Sequence, residues 1–101
     1  MNSGQDFDNK TLLSDEEITA GLADLPGWER RDDKLHATFT FADFSEAFGF
    51  MSRVALVSER LFHHPEWSNV WSTVDIAITN HAAGGLTELD LEFARRVNNL
   101  A

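Results

Sequence analysis

The stretch from Asp43 to Leu61, without a proline, constrains the fold of this chain more than any other. Its apolar residues recur at helical spacing: Phe44, Ala47, Phe48, Met51 and Ala55 form one stripe, and Phe50, Val54, Val57 and Leu61 an adjacent one. Asp43 followed by Glu46, at N-cap and N3 spacing, marks where the helix starts. At about 100° per residue the two stripes jointly cover roughly half the circumference, more than one contact with a sheet requires. The surplus fits either a wide core face in a small domain or an oligomer interface, as a homodimer or homotetramer through residues 43–61.

On both sides of this helix the apolar period switches to two. In "KLHATFTF" Leu35, Ala37, Phe39 and Phe41 alternate with His36, Thr38 and Thr40, and together with "WERR" across the "DD" this reads as a hairpin with one wet face that carries His36. Beyond the helix, "NVW" and "VDIAIT" read as two more strands, the second alternating Val74, Ile76 and Ile78 against Asp75, Ala77 and Thr79. A helix near the start is signalled by the capping box Ser14/Glu17 and the stripe Ile18, Leu22, Leu25, and ends at Pro26-Gly27. The last helix begins at Thr87, with Asp90 at N3 and with Leu86 and Leu91 at the positions of a hydrophobic staple. The order α-β-β-α-β-β-α predicts an α+β fold, a four-stranded mostly antiparallel sheet with three helices packed on one face. A chain of 101 residues, 43% apolar and 25% charged, has room for one such core. We expect a single domain over residues 11–101 and a mobile tail over residues 1–10, where Phe7 is the single large aromatic.

Seventeen acidic against eight basic side chains give a net charge of -9, which opposes binding to a polyanion, so no direct nucleic-acid binding is expected. The absence of cysteine removes disulfides, thiolate metal sites and thiol nucleophiles, leaving His, Asp, Glu and Ser for any chemistry. No apolar run approaches a membrane span and the first ten residues lack the pattern of a signal peptide, so the expectation is a cytoplasmic protein with no membrane contact.

Chemistry concentrates at "FHHPEW", residues 62–67. Pro65 disfavours the α conformation at His64, so the long helix ends here and His63 and His64 leave its last turn on irregular backbone. His81 stands where the last strand gives way to Ala-Ala-Gly-Gly, a second place where the chain turns. A lone histidine at a helix end is ordinarily a cap or a solvated side chain. Two in tandem, followed by a rigid proline and a large aromatic and joined by a third at a strand end, favour a site. A zinc centre of three histidines with Asp90 is the rival, and it ranks second because H-x-H and H-E-x-x-H spacings are missing. Trp28 and Trp67 offer flat faces suited to a heterocycle but equally to a core, and capping alone would explain Asp90.

The segment "ERLFHHPEWSNVWSTVDIAITNHAAGGLTELD", Glu59 to Asp90, closely resembles the signature of the pterin-4a-carbinolamine dehydratases, and "FTFADFSEAFGFMSRVALVSERL" resembles the helix that precedes it in that family. The likeness runs from about Leu12 to the C-terminus. It implies dehydration of 4a-hydroxytetrahydropterin (4a-hydroxytetrahydrobiopterin in the named enzyme) to quinonoid dihydropterin, the recycling step after aromatic amino-acid hydroxylation, by an α+β protein in dimers or tetramers with neither metal nor cofactor. It further implies that His63, His64 and His81 transfer protons and contact the substrate, and that Glu59, Pro65, Trp67 and Asp90 surround it. Asn80, Ala82, Phe62 and Leu89 depart from the family pattern, and Asn80 is expected to bond to an imidazole or to the pterin. Relatives also act as dimerisation cofactors or assembly factors, which makes a non-catalytic partner-binding protein acting through the long helix the alternative reading.

Overall fold

The computed structural model describes residues 6–101. Seven elements follow one another: α1 (Asp15–Leu22), β1 (Trp28–Arg31), β2 (Lys34–Thr40), α2 (Phe44–Leu61), β3 (Glu66–Val70), β4 (Thr73–Ile78) and α3 (Glu88–Asn98). The four strands form one sheet in the order β1-β2-β4-β3, and every neighbouring pair is antiparallel. This is the expected α+β fold with its expected element order.

Strand alternation separates the two faces of the sheet. Leu35 lies opposite Ile78, Ala37 opposite Ile76 and Phe39 opposite Val74, and these inward pairs meet Phe50, Val54 and Leu61 of α2 and Phe93 and Val97 of α3 in one apolar cluster. Each fully buried aliphatic or aromatic side chain there stabilises the fold by about 1.5–3 kcal/mol. Trp28 joins this core, with its Nε1 donating to Asn98 Oδ1 at 2.8 Å, so of its two sequence readings it takes the structural one. The opposite face carries His36, Thr38, Glu66, Asp75 and Thr79; His36 Nε2 lies 3.8 Å from Asp75 Oδ1.

Helix α2 starts as its sequence dictates, with Asp43 accepting from the Glu46 N–H at 2.9 Å. Its buried face is narrower than the paired stripes suggest. Ala47, Phe50, Val54, Ser58 and Leu61 face the core, while Phe44, Phe48 and Leu56 stand exposed.

The stretch expected to be a mobile tail divides. Residues 1–5 lie outside the described residues. Further on, the Asp8 carbonyl accepts from the Leu89 N–H at 3.2 Å, the Asn9 carbonyl accepts from the Asn80 side chain at 2.7 Å, and the Phe7 ring lies 5.6 Å from the Arg96 guanidinium carbon. The Asp8 carboxyl is held below its ordinary range by the Lys10 and Thr11 backbone N–H groups that it accepts from.

Phe50 packs its ring at 4.8 Å from Phe39 and 4.9 Å from Phe41, between α2 and the sheet. Phe50→Ala should therefore cost about 3–5 kcal/mol of stability through lost burial and a cavity. Ser58→Ala, at an equally buried place whose hydroxyl bonds only to the Val54 carbonyl of its own helix, should cost no more than about 1 kcal/mol. Urea unfolding of both variants checks the pair; equal midpoints would show that the ring does not hold the helix to the sheet.

Candidate active site

The two adjacent histidines are aimed by the way α2 ends. Phe62 takes a left-handed conformation (φ 53°, ψ 47°) and the His63 N–H bonds to the Ser58 carbonyl at 3.0 Å, a Schellman-type closure. For a residue with a Cβ this conformation costs about 1–2 kcal/mol. It turns the chain sharply enough that His63 points back into the domain and His64 outward, with side chains 11% and 53% exposed. Pro65 then leads directly into β3.

Antiparallel pairing of β3 with β4 brings the third histidine to the same end of the sheet. Glu66 at the start of β3 lies opposite Ala77 near the end of β4, so the residues before one and after the other are neighbours in space. His81 follows β4 on a tight loop closed by the Asn80–Gly85 bridge, in which Gly84 has φ +84°, a conformation that glycine adopts without strain. The turn between β1 and β2 sits at this end too, because Leu35 lies opposite Ile78.

Each of the three histidines has its own carboxylate. His63 Nε2 lies 2.5 Å from Asp90 Oδ1, and the imidazole stands edge-on to Phe93 with ring centroids 6.2 Å apart. Asp90 is 0% exposed, and its other oxygen accepts from the Thr87 N–H at 2.8 Å and from the Thr87 hydroxyl at 3.4 Å. An ionised carboxylate has only acceptor sites, so facing one the His63 Nε2 is the donor, and whenever the ring is neutral its lone pair then sits on Nδ1. Asp90 thus caps α3 and orients an imidazole at once. His64 Nε2 lies 2.6 Å from Glu59 Oε1, on the last turn of α2. His81 Nε2 lies 3.1 Å from Glu66 Oε2, and Lys34 Nζ donates to Glu66 Oε1 at 2.6 Å. Among the described residues no three His, Asp or Glu side chains converge as a metal-holding group would.

The site therefore wraps around the edge of the sheet. Asp90 and His63 belong to the helix side, whereas Glu66, Lys34 and His81 meet on the open side, because Glu66 and Trp67 alternate on β3. Trp67, 38% exposed, lies opposite Ile76 on the helix side, and Pro65 is half-buried between the two groups. A cleft of about 490 Å³ opens beside His81 between the β1–β2 turn and the 80–85 loop, lined by Lys34, Thr79, Asn80, Gly84 and Gly85 among others. Of the residues expected in the site, it contains His81 alone.

Glu66 lies within the FHHPEW stretch but is not among the expected site residues, and Lys34 joins the site with no motif to mark it. Their signal lies in strand parity and register: Glu66 sits one place from Trp67 and so faces the other way, while Lys34 reaches it from the far strand across β4. Asn80 does not make the expected contact with an imidazole; its amide is engaged with Asn9 and with the Ala83 N–H.

A family model described as "Pterin 4 alpha carbinolamine dehydratase" matches residues 11–100. The chain is 50% identical over 91 residues to a protein of Chelativorans sp. (strain BNC1) named "Putative pterin-4-alpha-carbinolamine dehydratase", covering 88% of this chain and 93% of that one. A protein of the same name from Prochlorococcus marinus (strain MIT 9303) is 48% identical over 90 residues, covering 89% and 94%. A solved structure described as transcriptional coactivator/pterin dehydratase from Brucella melitensis superposes with a TM-score of 0.87 at 42% identity, covering 90% of this chain and 99% of that one. The fold places the chain in the class of α+β pterin-dehydratase domains. The chain belongs to the pterin-4a-carbinolamine dehydratase family.

The Glu66 carboxyl is held below its ordinary value of 4.5, first by the hydrogen bond from Lys34 and then by that from His81. A carboxyl lowered in the folded state adds stability that is complete above the unfolded value and is lost as the pH falls through the folded one. Glu66→Gln should therefore be less stable than the wild type above pH 4.5, and the margin should shrink as the pH falls below that value. Unfolding midpoints measured from pH 4.5 downwards check the sign; a margin that grows over that range would mean that the carboxylate is not held by these hydrogen bonds.

Proposed function

We propose that this protein dehydrates 4a-hydroxytetrahydropterin, with the tetrahydrobiopterin compound as substrate, to quinonoid dihydropterin and water, and so returns an oxidised pterin to recycling. The reading rests above all on the His63–Asp90 pair, a buried carboxylate that fixes one tautomer of a partly exposed imidazole. The family membership supports the pterin and the dehydration.

In this reaction the C4a–O bond breaks with its electron pair leaving on oxygen, and the N5–H bond gives up its proton as the C4a=N5 bond forms. The departing hydroxide needs a proton and N5 needs a base. Asp90 occupies the Nε2 side of His63, so proton exchange there runs through Nδ1, which suits the base; His64 and His81, each beside a carboxylate at the exposed rim, suit delivery to oxygen. Glu59, Pro65 and Trp67 form the surroundings of the bound ring, with the Trp67 face as an apolar wall. No electron transfer and no covalent intermediate is needed, and the pterin is the substrate rather than a cofactor.

The protein acts in this reading as a cytoplasmic homodimer or homotetramer associated through α2, with no part for a membrane or for nucleic acid. The exposed Phe44, Phe48 and Leu56 support that interface. The same face favours a second reading, a partner-binding role, for which the description of the Brucella structure as a coactivator is the specific support.

The decisive assay follows the decay of freshly generated 4a-hydroxytetrahydropterin with and without a chelator. Wild type should accelerate it with or without chelator, and His63→Ala, His64→Ala and His81→Ala should each lower kcat by about 10²- to 10⁴-fold, the usual contribution of one proton transfer. Assays on the separated 4a epimers show whether the roles are specific to one face. Activity abolished by chelator would revive the metal reading. No acceleration by wild type, with loss of a cellular phenotype on Phe48→Glu but not on His63→Ala, would establish the partner-binding reading instead.

A further inference from the structure

His81 poses a positioning problem. Its side chain is 78% exposed, with one hydrogen-bond partner, Glu66, at 3.1 Å, so packing does not hold it and its place is set by the backbone of its loop. That backbone is organised by the residue before it. Asn80 is 8% exposed; its N–H donates to the Gly85 carbonyl at 3.2 Å, and its carbonyl accepts from the Gly84 and Gly85 N–H groups at 2.9 and 3.1 Å. Its side-chain oxygen accepts from the Ala83 N–H at 3.0 Å, and its side-chain nitrogen donates to the Asn9 carbonyl at 2.7 Å.

We infer that Asn80 is a positioning residue for His81, and that the segment carrying Asn9 is the outside post to which it fastens the His81 loop. The inference rests on the catalytic reading of His81 given above. It turns on the two ends of one amide. The oxygen closes the loop upon itself, which a loop needs in order to be compact. The nitrogen reaches a segment remote in sequence, which fixes the loop relative to the rest of the domain. That segment is itself held in place: the Asp8 carbonyl accepts from Leu89 and the Leu13 N–H donates to the Leu86 carbonyl at 2.9 Å, so it flanks the chain between the His81 loop and Asp90. A Cβ at Gly85 would meet Leu12 Cδ2 at 3.3 Å, a second close approach of the same segment to the loop. Residues 8–13 thus connect, through backbone and Asn80, the loop of His81 to the first turn of α3 that carries Asp90.

The two ends of the amide are separable by substitution. Asn80→Asp keeps an acceptor for Ala83 and sets a second oxygen against the Asn9 carbonyl. Asn80→Ser, with a hydroxyl that accepts from Ala83 but stops short of Asn9, removes the bond to Asn9 without adding charge. Both variants should lower kcat for dehydration about tenfold with KM changed less than twofold. In a double-mutant cycle neither should slow His81→Ala any further, because residues that act through one another are not additive. In NMR spectra of either variant the His81 side-chain signals should shift or broaden while those of His36 stay in place.

Each result decides something. Unchanged kcat and unchanged His81 signals would overturn the inference, as would a tenfold loss that persists in the His81→Ala background, since Asn80 would then act on something else. Should wild type fail to accelerate dehydration, the functional reading falls; the NMR comparison still decides whether Asn80 positions His81.

Discussion

The contact between His63 and Asp90 joins the end of one helix to the start of another, and the geometry of the site depends on it. Asp90 is wholly buried, and a carboxylate taken out of water is tolerable only when its oxygens are occupied. Thr87 occupies one oxygen and the His63 imidazole the other. The capping requirement of α3 and the orientation of a histidine at the end of α2 are thereby one interaction. Removing one partner of such a pair typically costs about 3–5 kcal/mol, because the remaining charge stays buried. The histidine is consequently held by the same forces that hold the fold, and its tautomer is set by structure rather than by solvent.

A second constraint is the antiparallel hairpin of β3 and β4. The sixteen residues between His64 and His81 form a strand, a turn and a strand, so the two ends of that segment return to one end of the sheet. The spacing in the sequence is the length of a hairpin. Glu66 then falls on the open face and Asp90 on the helix side, which places carboxylates on both sides of the sheet edge and gives each imidazole a separate partner. With seventeen acidic residues in the chain, pairing histidines with carboxylates is easily arranged; converging several of them on one ion is a different arrangement, and the separate pairs are the reason the described residues do not make it.

Much of this is legible in the amino-acid sequence. Periodicity marks α2 and the inward faces of β2 and β4 because burial on one side imposes it, and capping residues mark the helix starts at Ser14, Asp43 and Thr87. Pro65 locates the end of α2 to within a few residues, although the left-handed turn at Phe62 carries no sequence signal, since glycine is the usual residue there. Asp90 is visible but ambiguous: capping and orienting a histidine call for the same residue, and only a distance tells that it does both. Glu66 and Lys34 are not legible as a pair because they lie on different strands with β4 between them, and register fixes which side chains meet. The place of Asn80 beside His81 suggests a contact with that imidazole, whereas its amide serves the loop and a segment seventy-one residues away.

The two faces of α2 separate the two functional readings physically. Ala47, Phe50, Val54, Ser58 and Leu61 face the core, and through the Ser58 carbonyl and the turn at Phe62 this face sets the direction of His63. Phe44, Phe48 and Leu56 lie on the other side and touch none of the histidines or their carboxylates by any hydrogen bond or ring contact. Glu59, which pairs with His64, stands three residues beyond Leu56 on this exposed side, so a partner seated at Phe44 and Phe48 lies farther from the site than one seated at Leu56. Substitutions at Phe44 and Phe48, about three to four turns from Glu59, therefore test the partner-binding reading of this helix with the His63–Asp90 pair left in place.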